Sequence, residues 1–290
     1  MNILVQKFGG TSVSSHERRL LAVKKILNAK KKGYNVVVVV SAMGRSGYPY
    51  ATDTLLSLVD DDFKSNNPLA VDLLLNCGEI ISTVVMCGEL NKSGINCIPL
   101  SGGQAGIITD NCYNNASTIK IKTDNILSIL KKGMIPVVAG FQGISEDGFA
   151  TTLGRGGSDV TAALLGSALK AESVEIYTDV DGIMTADPRI VSDASLIKKM
   201  SYDEVFQFAD QGAKVIHPRA VEIARKYNIP LVIKNTLSNC DGTIINSSGY
   251  CDSNNTITGI TSMKNRIQIN IKYEDNKNSE NYINILNKLA

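Results

Sequence analysis

The sequence has few of the side chains that build metal centres. It contains two histidines, His16 and His217, and six cysteines that form no C-x-x-C pair. Zinc sites are usually built from closely spaced Cys and His ligands, so no metal site is predicted. A chain of 290 residues can bury a sizeable core without disulfides. We therefore predict that the cysteines are free thiols packed as small hydrophobic side chains.

Long apolar runs and an excess of one charge are also missing. The longest apolar stretches, such as 35–43 (NVVVVVSAM), fall well short of the roughly 18 residues that a membrane helix needs. No basic segment followed by an apolar core opens the chain, so no signal peptide is predicted. A net charge of +2 gives no reason to expect nucleic-acid binding. We expect a cytoplasmic protein without a membrane or nucleic-acid partner.

Two common nucleotide-binding motifs are absent as well. No G-x-x-x-x-G-K-[ST] occurs, and no G-x-G-x-x-G follows a predicted strand. Phosphate binding in this chain would need lysines and glycines gathered from several strand ends.

Apolar runs alternate with helical patterns along the first 240 residues. Strands are predicted at 3–8, 35–43, 95–102, 134–144, 173–180 and 230–236, and helices at 17–27, 68–93, 123–133, 158–171, 201–213 and 218–228. This alternation is typical of α/β proteins with a mainly parallel sheet covered on both faces. From about Asn239 the chain becomes polar and rich in Gly, Asn and Ser, which predicts a boundary.

The stretch KFGGTS places Lys7 at the end of the first predicted strand, where an unpaired ammonium is costly to bury. Gly9 and Gly10 allow a sharp turn, and Ser14 or Ser15 can cap the helix that follows. A strand, a glycine-rich turn and a helix N-terminus can make an anion site with Lys7 aimed into it. The alternative, which this stretch alone favours, is a lysine that reaches solvent from a strand end.

Three further polar stretches follow predicted strands: 41–53 (SAMGRSGYPYATD), 151–159 (TTLGRGGSD) and 177–189 (YTDVDGIMTADPR). Ligands of open α/β sheets bind at the carboxyl ends of strands, so these stretches are expected to converge with the first. Arg155, beside the free N–H groups of a helix N-terminus, suits a carboxylate or phosphate. A plain loop with Asp159 as a cap, and an Asp-Gly turn in TDVDG, are the alternatives.

Glu79 lies in the apolar helix predicted at 68–93, and a buried acid there needs a partner. A cation or an ammonium ligand would serve. Lys214 could be a solvated helix lysine, and His217, which precedes Pro218, a residue at a helix start.

The motifs KFGGTSV, VVVSAMG, GRGGSD, TDVDGI-TADPR and AKVIHPRA, with Gly78-Glu79 between them, occur in the order and spacing of the aspartokinases. The whole chain resembles that family. The resemblance implies the amino-acid kinase fold, a three-layer α/β/α sandwich with a mainly parallel central sheet. It also implies ATP-dependent phosphorylation of the side-chain carboxylate of L-aspartate, giving 4-phospho-L-aspartate for lysine, diaminopimelate, threonine and methionine biosynthesis. SAMGRSGYPYATDTLL resembles a bacterial subgroup that responds to diaminopimelate.

The resemblance further implies roles for single residues. Lys7 and Lys214 would stabilise the transferring phosphoryl group, and Asp159 would orient them. ATP would contact Lys7, Phe8, Gly9, Gly10, Ser12, Thr178, Asp179, Met184, Arg189, Lys214 and Val215. L-aspartate would contact Ser41, Thr52, Glu79, Arg155, Gly156, Gly157 and Ser158, with Arg155 on its α-carboxylate and Glu79 on its α-ammonium. Met184 stands where many relatives carry a tyrosine. Mg²⁺ would be held mainly by the nucleotide phosphates.

The same resemblance predicts a catalytic domain at 1–240, a linker at 241–258 and a partial ACT-like segment at 259–290. Aspartokinases use ACT domains to bind the feedback inhibitor and to dimerise, so the full-length form is expected to be a homodimer. One alternative is another amino-acid kinase, acting on glutamate, acetylglutamate or a nucleotide; the pair Arg155 and Glu79 argues against it. The other is a regulatory homologue without turnover, and the presence of Lys7, Asp159, Asp179 and Lys214 argues against that.

Overall fold

An eight-stranded sheet forms the centre of the computed structural model, which describes residues 1–210, 215–249 and 257–262. The twelve strands of the described chain are β1 (Ile3–Phe8), β2 (Asn35–Val40), β3 (Cys97–Leu100), β4 (Ile107–Thr109), β5 (Thr118–Ile121), β6 (Ile135–Ala139), β7 (Gln142–Ser145), β8 (Ala150–Thr152), β9 (Ser173–Thr178), β10 (Lys199–Ser201), β11 (Leu231–Asn235) and β12 (Thr243–Asn246). The central sheet has the order β10-β12-β11-β9-β1-β2-β6-β3, and its neighbours run parallel apart from the antiparallel pair β11 and β12.

Helices cover both faces of this sheet. They are α1 (Gly10–Val13), α2 (His16–Lys31), α3 (Thr52–Leu56), α4 (Asp61–Asn66), α5 (Pro68–Lys92), α6 (Asp124–Lys131), α7 (Gly157–Ala168), α8 (Tyr202–Asp210) and α9 (Pro218–Tyr227). Successive strand side chains point to opposite faces. Leu4 and Val38 therefore pack in a core with α2 and α5, whereas Val5 and Val39 pack in a second core with α6, α7 and α9. The predicted three-layer α/β/α sandwich with a mainly parallel sheet is confirmed.

Local signals in the sequence set the ends of the helices. The side chain of Ser15 accepts a hydrogen bond from the Arg18 N–H and caps α2, and Lys30 and Lys31 lie in its last turn, where the helix dipole is negative. Gly33 follows with φ +89°, a conformation that glycine adopts without steric cost. Helix α2 is therefore capped by Ser15 as predicted, but it continues past the predicted end at residue 27 to Lys31.

Helix α5 has the length and hydropathy of a helix that could cross a membrane, but half of its apolar stretch is buried inside the protein. The side chains of Asp72, Glu79 and Glu89 are buried as well. A helix with buried acids and long contact with strands and helices is the core helix of a globular domain. It carries polar groups on the face that meets the rest of the chain.

The strand predicted at 134–144 is wrong in one respect: the chain breaks between β6 and β7. Phe141 has φ +70°, which few residues other than glycine adopt, and the chain changes direction there. Strand β7 joins a second sheet of order β5-β4-β7-β8, which is not predicted from the sequence. Its strands have three or four residues, too few for a periodic pattern to be recognised.

The C-terminal region is described only in part. Strand β12 lies within the segment predicted as a linker at 241–258, yet it pairs with β10 and β11 in the central sheet. Of the predicted ACT-like segment 259–290, the structure describes 259–262, and the rest lies outside the described residues. The division into domains stays a prediction. The cysteines at 77, 87, 97, 112 and 240 are free thiols, as predicted, and Cys251 lies outside the described residues. The prediction that they pack as small hydrophobic side chains holds for the buried Cys87, whereas Cys77 and Cys112 are exposed.

Candidate active site

Four parallel strands end side by side at one edge of the central sheet. The Gly9 N–H donates to the Tyr177 carbonyl (3.2 Å), which joins the end of β1 to β9. The Ser41 N–H donates to the Phe8 carbonyl (3.1 Å), and the Gly140 N–H to the Val40 carbonyl (2.9 Å), which continue the edge across β2 and β6. The polar stretches that follow these strands therefore share one surface, the location at which α/β sheets bind ligands.

Lys7 is buried at the centre of this edge. Its ammonium Nζ lies 2.7 Å from Oδ1 of Asp159, and the residue is only 8% exposed. Asp159 stands in the first turn of α7, and its Oδ2 also accepts a long hydrogen bond from the His217 N–H (3.4 Å). The alternative that Lys7 reaches solvent is wrong, because Asp159 holds its charge inside the protein. A lysine held in this way is preorganised to meet an anion at the strand edge.

The turn after β1 is closely packed. The amide N–H of Gly44 donates to the Gly10 carbonyl (3.0 Å), so the turn lies directly on the loop that follows β2. A Cβ atom on Gly10 would lie 2.6 Å from the Ala42 carbonyl oxygen. A short helix, α1, begins at Gly10, ahead of the helix capped by Ser15. The hydroxyl of Ser12 accepts from Thr236 (2.7 Å) and donates to Tyr177 (3.4 Å), which ties α1 to the ends of β9 and β11.

We expect Gly10→Ala to destabilise the protein by about 1–3 kcal/mol, because its methyl group overpacks the contact between the two loops. The control is Gly88→Ala in α5, where, apart from the local helix backbone, no described atom lies within 4 Å of the added Cβ. That change should be neutral or stabilising by up to about 1 kcal/mol, since alanine favours a helix over glycine. Urea denaturation of both variants measures the difference. Equal stability of the two would contradict the close approach of the loops.

Glu79 places a carboxyl group behind the loop that follows β2. Its Oε1 accepts a hydrogen bond from the Ala42 N–H (3.2 Å), while Oε2 is buried with no hydrogen-bond partner among the described residues. Burial raises the pKa of Glu79 to about 8, and the Ala42 N–H, together with the nearby Gln142 side chain, opposes that shift only in part. Gly78 lets α5 approach closely, because a Cβ there would lie 3.0 Å from Ala42 Cβ. An acid with an unpaired buried oxygen is suited to receive an ammonium group.

The stretch before α7 supplies the opposite charge. Gly154 and Gly156 have φ +74° and +69°, and Arg155 between them is exposed. A side chain on Gly156 would clash with the His217 ring, so α9 closes one side of this loop. Ser158 lies at the first turn of α7 against Gly140, beside the strand edge. Burial lowers the pKa of His217.

The loop after β9 carries most of the remaining nucleotide residues predicted from the resemblance. Asp179 pairs with Arg45 at 3.1 Å, both exposed, and the Thr178 hydroxyl accepts from the Val180 N–H (3.0 Å). Arg189 forms a two-bond pair with Asp187 (3.0 and 2.8 Å). The other predicted residues lie as follows: Met184 in a bridge with Leu196, Val215 beside a small cavity lined by Ile183 and Ile216, Thr52 at the start of α3, and Gly157 at the start of α7. Lys214 lies outside the described residues.

Sequence reasoning missed several polar groups near this edge. Asp72 is fully buried in α5 and accepts hydrogen bonds from Thr152 (2.9 and 2.6 Å). Arg219 of α9 donates to the Leu153 carbonyl (2.7 Å), and Arg45 pairs with Asp179. The sequence does indicate that Asp72 could be a buried acid, because it lies in the same apolar helix as Glu79. Nothing in the sequence pairs Arg219 or Arg45 with its partner.

Residues 2–235 match the model of the amino acid kinase family. Over 276 residues the chain is 48% identical to aspartokinase 1 of Bacillus subtilis (strain 168), covering 93% of this chain and 68% of that protein. Among solved structures, the aspartate kinase from Synechocystis is 39% identical, with a TM-score of 0.72 over 86% of this chain and 40% of its own. Escherichia coli aspartokinase III in complex with aspartate and ADP is 27% identical, with a TM-score of 0.73 over 86% of this chain and 65% of its own. The chain thus spans about two thirds or less of the length of these relatives.

Proposed function

This chain belongs to the amino acid kinase family and, within it, to the aspartokinases, and we propose that it transfers the γ-phosphoryl group of ATP to the side-chain carboxylate of L-aspartate. The observation that carries the proposal is the buried Lys7 ammonium, held 2.7 Å from Asp159 where four parallel strands end. The relative from Escherichia coli binds aspartate and ADP, the two ligands that this edge would need to accommodate. The product is 4-phospho-L-aspartate, which feeds amino-acid biosynthesis.

Positioning and charge neutralisation carry the catalysis in this proposal. The acceptor carboxylate is ionised at pH 7, so the reaction needs no strong general base. Lys7 and Lys214 neutralise charge on the phosphoryl group as it moves, and Asp159 orients the Lys7 ammonium. The backbone of Phe8, Gly9 and Gly10, with Ser12, Thr178, Asp179, Met184, Arg189 and Val215, forms the nucleotide side of the site.

The two ends of L-aspartate are bound separately. Arg155 pairs with the α-carboxylate, and the N-terminus of α7 at Gly156, Gly157 and Ser158 adds backbone and hydroxyl donors. Glu79 pairs with the α-ammonium, which supplies the partner that its buried Oε2 lacks. Ser41 and Thr52 line the segment between them. A kinase for a substrate without an α-ammonium would leave Glu79 buried and unpaired, so acetylglutamate fits this site less well.

Mg²⁺ accompanies the nucleotide in the proposed reaction. Within the ranges that the structure describes, no group of three or more His, Cys, Asp or Glu side chains is arranged to hold a metal ion. Mg²⁺ would be held mainly through the nucleotide phosphates, and when bound it would neutralise part of their negative charge. We also propose a cytoplasmic location, in keeping with the burial of half of α5, and a homodimer for the full-length form.

The test is to incubate the purified chain with MgATP, L-aspartate and hydroxylamine and to measure aspartyl hydroxamate. We expect product with L-aspartate and little or none with L-glutamate or N-acetyl-L-glutamate. Product formed only from one of the other acids would replace the proposal with that activity. If none of the three acids is phosphorylated, the aspartate kinase proposal fails for this chain.

A further inference from the structure

Asp72 is a buried acid with no ion-pair partner among the described residues. It is 0% exposed, and both of its oxygens are occupied by donors from two separate segments. Thr152 donates from its backbone N–H to Oδ2 (2.9 Å) and from its hydroxyl to Oδ1 (2.6 Å). The Asn114 N–H donates to both oxygens at 3.0 and 3.1 Å. Asp72 therefore joins α5 to the end of β8 and to the turn at Asn114.

Both of these segments bear directly on the loop that carries Arg155. Thr152 is the last residue of β8, and the loop begins with the next residue. The 114–115 turn packs against the same loop, since a side chain on Gly154 would clash with the Asn115 side-chain oxygen. Arg219 also holds the loop, through the Leu153 carbonyl (2.7 Å), and it contacts the Asn115 side chain of the same turn (3.2 Å).

Helix α5 also carries Glu79, about two turns after Asp72 and so on the same face of the helix. One rigid element thus holds the carboxyl group proposed for the α-ammonium and, through Asp72, the loop proposed for the α-carboxylate. The distance between the two ends of the substrate site depends on this connection. The two bonds from Thr152 to Asp72 are buried, which shields them from competition with water, whereas the bonds from the exposed Asn114 are only part-buried.

We propose that Asp72 is a positioning residue for the L-aspartate site, which sets the loop of Arg155 at a fixed distance from Glu79. The inference rests on the proposed function, because it concerns how the same site binds its substrate. Asp72 itself does not touch the substrate; it acts through Thr152 and the Asn114 turn.

The main variant is Asp72→Asn, whose amide NH₂ would face the donors of Thr152 and Asn114 in place of an acceptor. Thr152→Val is the milder second variant, since it removes only the hydroxyl bond of 2.6 Å. Thr109→Val is the matched control. This variant removes the buried hydrogen bond between the hydroxyls of Thr109 and Thr151 (2.7 Å). Thr151 is the neighbour of Thr152 on β8, and Asp72 and its partners stay in place.

Two measurements distinguish positioning from a purely structural role. Limited trypsin digestion, followed by mass spectrometry of the peptide ending at Arg155, reports how firmly the exposed loop is held and requires no substrate. Steady-state kinetics report KM for L-aspartate and for MgATP separately. We expect faster cleavage at Arg155 and about a tenfold higher KM for L-aspartate in Asp72→Asn, with KM for MgATP nearly unchanged. Thr152→Val should also speed cleavage at Arg155 and raise KM for L-aspartate, whereas Thr109→Val should change neither quantity.

A double variant that combines Asp72→Asn with Arg155→Ala tests whether Asp72 acts on substrate binding through Arg155. If Asp72 acts through Arg155, Asp72→Asn should change KM for L-aspartate little once Arg155 is gone, because coupled residues are not additive. Additive effects, equal changes in both KM values, or cleavage at Arg155 no faster than in Thr109→Val would overturn the inference. A wild-type chain that does not turn over L-aspartate would defeat the proposed function. The cleavage comparison would then still decide whether Asp72 holds the loop.

Discussion

Replacing Lys7 with alanine should lower kcat for phosphoryl transfer by roughly 10³-fold, the effect expected when a preorganised cation is removed from a developing negative charge. The ammonium lies at the centre of the strand edge, and Asp159 already holds it at 2.7 Å, so no reorganisation is needed when ATP arrives. The hydroxamate assay, run at saturating ATP and L-aspartate, measures the change. A kcat within tenfold of the wild type would show that Lys7 does not neutralise the phosphoryl group.

Loss of the ion pair should also destabilise the protein, because the mostly buried Asp159 side chain would lose its partner. Breaking a buried pair from one side costs about 3–5 kcal/mol. Lys234→Ala provides a matched control: Lys234 pairs with Glu175 at 2.8 Å in the same sheet, and both side chains are at least three quarters buried. We expect both alanine variants to unfold at lower urea concentration, and only the Lys7 variant to lose turnover. Equal losses of turnover would assign the Lys7 effect to folding.

Much of the central sheet could be predicted because its strands carry long β-branched runs. Val36 to Val40 form one continuous apolar strand, as expected for a strand buried on both faces. The second sheet could not be predicted in the same way, because its strands have three or four residues. The reversal at Phe141 has no local signal, since a phenylalanine with φ +70° is held there by tertiary packing rather than by its own preference.

The location of the candidate site could be predicted from the sequence, but the contacts between its residues could not. Polar stretches after predicted strands indicate the edge at which ligands bind, and they place Lys7 and Arg155 near it. The sequence does not show that Lys7 pairs with Asp159, because their contact depends on how α7 packs over β1. Asp72 could have been found by the argument used for Glu79, since both are acids in one apolar helix. Its hydrogen bond with Thr152 could not be predicted, because it depends on where β8 packs against α5.

The binding of L-aspartate should depend on pH through Glu79. Burial raises the pKa of Glu79 to about 8, so in the free protein the carboxyl group is mostly neutral at pH 7. Pairing with the substrate ammonium requires the carboxylate, so binding below pH 8 releases a proton. KM for L-aspartate should therefore fall about tenfold per pH unit between pH 6 and pH 8 and level off above. Glu79→Gln should have a high KM that changes little over this range, and a sloping profile in that variant would assign the titration to another group.

The raised pKa of Glu79 also predicts how the stability of the free protein changes with pH. The unfolded carboxyl titrates near pH 4.5 and the folded one near 8, so between these values the folded state binds more protons. The stabilisation of the folded state by the neutral Glu79 carboxyl group is complete below pH 4.5 and is lost progressively up to about pH 8. The loss amounts to a few kcal/mol in total, on the order of 1.4 kcal/mol per pH unit. Glu79→Gln should remove this slope, measured by urea denaturation at several pH values.

Glu89 lies on the same helix and provides a control of opposite sign. Burial alone would raise its pKa, but the hydrogen bond to His16 and the charges of Lys92 and Arg19 outweigh burial and lower it. Its ionised form is therefore favoured in the folded state, and Glu89→Gln should destabilise the protein at neutral pH. Two buried acids of one helix thus differ because Glu89 has cations within reach, whereas Glu79 has none in the part of the chain that the structure describes. That difference is the physical reason for expecting Glu79, and not Glu89, to take its cation from a ligand.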